Sequence, residues 1–146
     1  MAADPRVFTL EEANALLPRL NALCARQHDR RSSIELRLLD LARQTGSPPE
    51  GVMELPDDPA EVRAIKRDVI ERLQEYQSAW NELEAIGVIL KDARSALLDF
   101  YSRVDGKLVF LCWRYGEAAI THYHDIQDGF TGRKPIAGAV KARLYN

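Results

Sequence analysis

The chain has 146 residues, 46% of them hydrophobic, and its 20 basic and 22 acidic residues leave a formal net charge of −2. A chain of this length can bury enough surface for one domain, and its balanced charge argues against a polyanionic partner such as nucleic acid. No window approaches the roughly 18 consecutive apolar residues of a membrane span, and no secretory leader is evident. We therefore expect one domain over residues 1–146, soluble and cytoplasmic.

The first predicted element is a long amphipathic helix. Thr9 and Glu12 have the spacing of a capping box and predict that the helix begins directly after Thr9. Apolar residues then recur at alternating spacings of three and four. Pro18 lies inside this repeat, where it removes a backbone hydrogen bond, so a break is expected near residues 14–17. The helix should end near Gln44.

A second helix should follow a loop over residues 45–59 that is rich in proline. Asp58, Pro59 and Glu61 are typical of a helix start, since they offer a cap, a first-turn proline and an acidic first turn. The apolar stripe of this helix ends near residues 85–87.

The two helices should form an antiparallel hairpin over about residues 10–86. Lengths of roughly 50 and 40 Å follow from a rise of 1.5 Å per residue. Helices this long leave an apolar surface that the rest of the chain must cover, unless a second copy does so. A homodimer that packs as a four-helix bundle is therefore expected.

Strand signals dominate about residues 88–124. A hairpin is predicted with strands over 97–104 and 107–113, because the Asp105-Gly106 pair between them suits a two-residue turn. Residues 88–90 form a shorter run with strand propensity.

Residues 118–124 are ambiguous. Ile120 and Tyr123 favour a third strand, which is the interpretation we prefer, whereas Glu117 and Gly129 could bound a short helix. Residues 125–146 should be a loop and a tail, with at most a turn or two of helix beyond Ile136. The predicted fold class is thus α+β, a long antiparallel two-helix hairpin followed by a small antiparallel β-meander.

One group of side chains could bind a divalent transition metal. If residues 118–124 form a strand, His122 and His124 share a face, and Asp99 could lie on a neighbouring strand; in a helix, Glu117 and His124 would share a face instead. Imidazole and carboxylate are suitable ligands for such ions. General acid and base catalysis by His124 and Glu117 is the enzymatic version of this site.

The two cysteines, Cys24 and Cys112, have no metal-binding or disulfide spacing. Cys112 stands among apolar residues, so we interpret it as an inert buried thiol.

An anion site is a further hypothesis for the segment that follows. The backbone amides near Gly129 and Gly132 could surround a phosphate or carboxylate, with Arg133 as a bidentate donor. The sequence does not favour nucleic-acid binding through this loop with Lys141 and Arg143, because no reading helix or stacking sheet accompanies it.

The chain also resembles a known family through motifs that cover nearly its whole length. The bacterial family named domain of unknown function 2203 is similar to it at Phe8–Ala13, Leu16-Leu17-Pro18, Gly87-Val88, Lys91-Asp92, Leu98-Asp99-Phe100, Leu111–Glu117, His124 and Gly129–Pro135. The resemblance implies a small prokaryotic cytoplasmic protein and supplies no reaction, substrate or catalytic residue. Tyr123 departs from the tryptophan expected before the histidine.

The sequence leans against an enzyme, because two amphipathic helices explain most of it and no catalytic set does. It favours a non-enzymatic structural or interaction protein that acts as a helical homodimer. The alternative is a metal-binding protein or metal-dependent hydrolase that uses Asp99, Glu117, His122 and His124.

Overall fold

The structure, a computed structural model, describes residues 5–136. The tail beyond Ile136, with its expected turn of helix and with Lys141 and Arg143, lies outside the described residues. Contacts between residues divide the described chain into two compact units, one formed by 5–24 and 82–136 and the other by 25–81. The expectation of a single domain stays a prediction.

Three helices precede the sheet: α1 (Leu10–Ala15), α2 (Leu17–Thr45) and α3 (Ala60–Ala85). The capping box is confirmed, since the Thr9 hydroxyl accepts from the Glu12 amide at 3.0 Å and the Glu12 carboxylate accepts from the Thr9 amide at 2.9 Å. The break between α1 and α2 falls where Pro18 predicts it. Among residues 5–136, no helix is both long and apolar enough to cross a bilayer.

The unit of residues 25–81 is the antiparallel helical pair that the sequence predicts. Arg37 of α2 donates to Asp68 of α3 at 2.7 Å, while further along α2 Leu41 is buried with Val62 and Ile65, which come earlier in α3. Residues later in α2 therefore contact residues earlier in α3, as in an antiparallel pair. The two apolar stripes meet in a core that leucine and β-branched residues dominate.

Gln27 is the polar residue that interrupts the apolar stripe of α2, and only 2% of it is exposed. Its Nε2 donates to the backbone carbonyl of Tyr76 on α3 at 2.8 Å, and its Oε1 accepts from Arg30 at 2.8 Å. A buried amide needs such partners, so Gln27 ties the two helices together at one position.

The sheet has five antiparallel strands in sequence order: β1 (Ile89–Asp92), β2 (Leu97–Val104), β3 (Lys107–Arg114), β4 (His122–Asp125) and β5 (Lys134–Pro135). The β2–β3 hairpin is confirmed. Its turn has φ of 52° at Asp105 and 80° at Gly106, the left-handed values that a two-residue turn requires at both positions.

The later strands differ in part from the expectation. Only the end of residues 118–124 is a strand, since β4 begins at His122. β5 lies in the segment that we expected to be loop. It pairs only two residues with β4 and contains Pro135, which cannot donate to a ladder, so it has too little strand pattern to be recognised.

One face of the sheet carries the core of the other unit. The rings of Phe8 and Phe100 meet edge to face at 5.5 Å, and the Ser102 hydroxyl donates to the Phe8 carbonyl at 2.8 Å. Because side chains alternate along a strand, Asp99 and Tyr101 lie on the opposite face. That second face contains the candidate site.

Asp58 should make the helical pair sensitive to acid. Its carboxylate accepts from Lys66 at 2.8 Å and from the Leu55 amide at 2.7 Å, and these bonds lower the pKa of Asp58 below its usual 3.8. A lowered pKa gives stability above pH 3.8 that is lost as the pH falls through the folded value. Asp58→Asn should therefore unfold at lower urea than wild type near neutral pH, with a gap that narrows well below pH 3.8.

Urea titrations at both pH values test this expectation. Asp57→Asn changes the exposed neighbouring carboxylate and should leave the midpoint unchanged. A gap that stays constant with pH would contradict a role for the Asp58 charge.

Candidate metal centre

Strand register determines which side chains share the second face of the sheet. Asp99 of β2 pairs directly with Cys112 of β3, and on β4 His122 pairs with Cys112 while His124 pairs with Phe110. Directly paired residues point to the same face, and so do residues two apart on one strand. Asp99, Cys112 and His124 therefore come together from three adjacent strands.

These three residues form a compact buried cluster. One ligand atom from each, a carboxylate oxygen, Sγ and an imidazole nitrogen, lies within 4.8 Å of the other two. Exposure is 1% for Asp99, 0% for Cys112 and 2% for His124. Polar groups this deeply buried require partners, and their hydrogen bonds define the chemistry of the cluster.

His124 is held by hydrogen bonds at both ring nitrogens. Nδ1 lies 2.9 Å from the carbonyl oxygen of Asp125, and Nε2 lies 3.0 Å from Oδ2 of Asp99. A carbonyl can only accept, so Nδ1 carries a proton and donates it. The orientation of the ring is thus fixed by the backbone, with Nε2 directed into the cluster.

Asp99 is the least satisfied member of the cluster. Its Oδ1 is buried and has no hydrogen-bond partner among the described residues. Burial raises the pKa of the carboxyl above 3.8, although the nearby charges of His124 and Lys91 and the bonds to His124 and Cys112 oppose this. An unpartnered buried carboxylate oxygen is costly, which makes Oδ1 an available acceptor or ligand atom.

Cys112 is a neutral thiol in this environment. Burial raises its pKa to about 12, and the neighbouring Asp99 carboxylate adds to the effect. A nucleophilic cysteine instead needs a lowered pKa, usually beside an imidazolium. Here both nitrogens of His124 already contact other oxygens, so the arrangement does not suit a cysteine nucleophile.

Glu117, a predicted ligand, belongs to a separate ion pair. Arg133 Nη2 donates to its two carboxylate oxygens at 2.8 and 3.1 Å and to the Cys112 carbonyl at 3.2 Å. Burial alone would raise the pKa of Glu117, but the bonds from Arg133 and from the Arg114 amide outweigh it and lower the pKa. This carboxylate is ionised and already paired.

His122, the other predicted ligand, lies on the same face and is partly exposed. Its Nδ1 is 2.9 Å from the Thr121 hydroxyl. Of the four residues that the sequence proposes as metal ligands, the compact cluster contains Asp99 and His124 but not Glu117 or His122.

The predicted anion loop forms a short 3-10 turn at Phe130–Gly132. The Gly132 amide donates to the Gly129 carbonyl at 2.9 Å, and the Arg133 amide donates to the Phe130 carbonyl at 3.1 Å. Both amides are therefore used within the turn, and the Arg133 guanidinium is used by Glu117. The amides of Gly132 and Arg133 are thus not free to bind an anion. Anion binding at Gly129, Gly132 and Arg133 stays a prediction.

Cys112 is the site residue that sequence reasoning missed. Its apolar neighbours suggested an inert thiol, yet a signal for its position was present. A two-residue turn at Asp105-Gly106 makes Val104 face Lys107, and counting outward along both strands makes Asp99 face Cys112.

Comparison with known proteins gives a family match. A family model with the description Uncharacterized conserved protein (DUF2203) matches residues 6–136, which is most of the chain. No curated protein and no solved structure matches the chain.

The buried thiols should be unreactive while the protein is folded. Cys24 and Cys112 are both free and buried, and burial raises their pKa values to about 11 and about 12. We expect a disulfide reagent to label neither thiol of the metal-free protein at neutral pH and to label both in denaturant. Rapid labelling of Cys112 in the folded state would indicate an activated thiolate and contradict this description.

Asp99 and His124 should be energetically coupled. Breaking a buried pair leaves one polar partner unsatisfied, so Asp99→Ala should cost on the order of 3 kcal/mol of unfolding free energy. In metal-free protein, urea unfolding of Asp99→Ala, His124→Ala and the double variant should give a coupling of about 1 kcal/mol or more. The same cycle with His122→Ala is the control and should be additive; additivity in both cycles would refute the coupling.

Proposed function

The chain belongs to the family of that description, and from its own residues we propose that it binds one divalent transition metal ion through Asp99, Cys112 and His124. The observation that carries the proposal is the buried cluster of three different donor atoms within 4.8 Å of one another. Donors bonded to one zinc ion at 2.0–2.3 Å lie roughly 3.3–3.8 Å apart in tetrahedral geometry. Small side-chain shifts therefore suffice for binding.

The donor set favours zinc. Thiolate and imidazole are the ligands that zinc prefers in proteins, and a carboxylate oxygen commonly completes its coordination. Calcium and magnesium are poor candidates, because they require oxygen ligands and would leave Cys112 and His124 unused.

The hydrogen bonds of the cluster support the same proposal. Metal-binding histidines commonly donate the other ring N–H to a backbone carbonyl or carboxylate, and His124 donates Nδ1–H to Asp125. An ion near Nε2 would also give the unpartnered Oδ1 of Asp99 an electrostatic partner. Binding would require Cys112 to lose its proton, as metal-bound thiols do.

We propose a structural rather than a catalytic role for the ion. Three protein ligands leave a coordination position open, as in catalytic zinc sites, but each donor residue is at most 2% exposed. A substrate would have no path to such an ion in this conformation. The ion would instead connect β2, β3 and β4, and the protein would be non-enzymatic.

A cytoplasmic location fits this role. Cys24 and Cys112 are both free. A reducing compartment keeps cysteines in this state, and only a reduced Cys112 can bind the ion.

Metal content and zinc titration test the proposal. Untagged wild-type protein purified without chelators should contain about one zinc per chain, and the chelated protein should take up zinc again. Asp99→Asn, Cys112→Ala and His124→Ala should each weaken binding by more than about 100-fold, since loss of an outer-shell partner alone costs roughly 10–100-fold. Zinc at a hundredfold excess over Kd should stabilise wild type by roughly 2.7 kcal/mol.

Two variants serve as matched controls. Cys24→Ala removes the other buried thiol, and His122→Ala removes the other histidine of this face, so both should bind zinc as wild type does. The cobalt(II) protein should show a thiolate charge-transfer band. Cys112→Ala should abolish this band, whereas Cys24→Ala should keep it. Failure of wild type to bind zinc, cobalt or iron would refute the proposal, and loss of binding in His122→Ala but not in Cys112→Ala would overturn the ligand assignment.

A further inference from the structure

A second feature, independent of the metal cluster, is an exposed stripe on α2 within the unit of residues 25–81. Leu36 and Leu39 are 63% and 52% exposed, and because they are three residues apart on one helix they form an adjacent apolar pair on the surface. Asp29, Ser32 and Arg43 continue their spacing of three and four residues on either side. At about 100° per residue, all five lie within an arc of roughly 80°. We call these five residues the α2 stripe.

The α2 stripe lies directly opposite the side of the helix that packs against α3. Gln27, Ile34 and Leu41 are buried on that inner side, and their positions on the helical wheel are centred half a turn from the stripe. The stripe is therefore not the edge of the existing core. It is a second stripe on the same helix, apolar at Leu36 and Leu39 and polar at its other three positions, and its spacing suits a partner helix.

The charges at the two ends of the α2 stripe are opposite. Asp29 is exposed at one end, and Arg43, whose side chain is 78% exposed, is at the other. Leu36 lies midway, seven residues from each (36 − 29 = 7 and 43 − 36 = 7). A twofold axis at Leu36 therefore places each Asp29 beside Arg43 of the partner subunit, whereas a parallel pair would bring like charges together.

The surface beside the stripe has room for a partner. A shallow surface depression of about 400 Å³ adjoins Leu39 and Arg43 and extends past Ala42 to Gly46. In an antiparallel pair of α2 helices, the segment around Ser32 and Asp29 of the second copy faces this depression. A small side chain there lets the helices approach closely.

We propose that the α2 stripe binds a second copy of the chain, and that the two α2 helices pack antiparallel around a twofold axis at Leu36. The leucines of both copies form the apolar centre of the contact, and the two Asp29–Arg43 pairs flank it. The helical pairs of the two copies then form a four-helix arrangement. This contact uses no residue of the metal cluster.

Sedimentation velocity over a wide concentration range, with circular dichroism as a check on folding, tests the proposal. Wild type should dimerise, and Leu36→Glu/Leu39→Glu should be monomeric at every concentration while its helical spectrum and zinc content match wild type. Met53→Glu makes the same change at another apolar side chain, 77% exposed, in this unit and should dimerise as wild type does.

Charge exchange tests the antiparallel geometry. Asp29→Arg and Arg43→Asp should each weaken the dimer by tenfold or more, because each places like charges side by side twice, and the double exchange should restore it. A wild type that stays monomeric, or a dimer that survives Leu36→Glu/Leu39→Glu, would overturn the proposal. Failure of the double exchange to restore the dimer would overturn the antiparallel pairing.

Discussion

The left-handed turn at Asp105 and Gly106 is the local constraint on which the candidate site depends. A turn of two residues permits one register between β2 and β3, and a shift by one residue would move Asp99 from the second face of the sheet to the face that packs on Phe8. Glycine at the second position adopts its φ of 80° without strain. The turn thus determines where the Asp99 carboxylate and the Cys112 thiol lie, although it is several residues away from both.

Burial gives the cluster its chemical character. Asp99, Cys112 and His124 are ordinary side chains, but each is almost fully removed from water. Burial disfavours the carboxylate and the thiolate, so the pKa values of Asp99 and Cys112 both lie above their usual values. A bound cation would reverse this preference, because its charge stabilises the anionic forms.

The sequence predicts this fold well where the signals are local. Caps, prolines, apolar periodicity and the two-residue turn placed the helix boundaries and the β2–β3 hairpin. Residues 115–121 carry only ambiguous signals, so the register of β4, which places His124 beside Asp99, could not be derived. Glu117 illustrates the same limit, since its partner Arg133 is brought to it by the later chain path and not by any periodic pattern.

The meander order of the strands has a consequence for how the site is assembled. Asp99 and His124 are only 25 positions apart, and every strand pairs with its neighbour in the sequence. Short loops lose little entropy on closure, and sheets built from neighbouring strands fold faster than sheets that need distant ones. In the proposed metal site, folding of the sheet would therefore bring the donors together before an ion binds, and the buried cluster would have to open briefly to admit the ion.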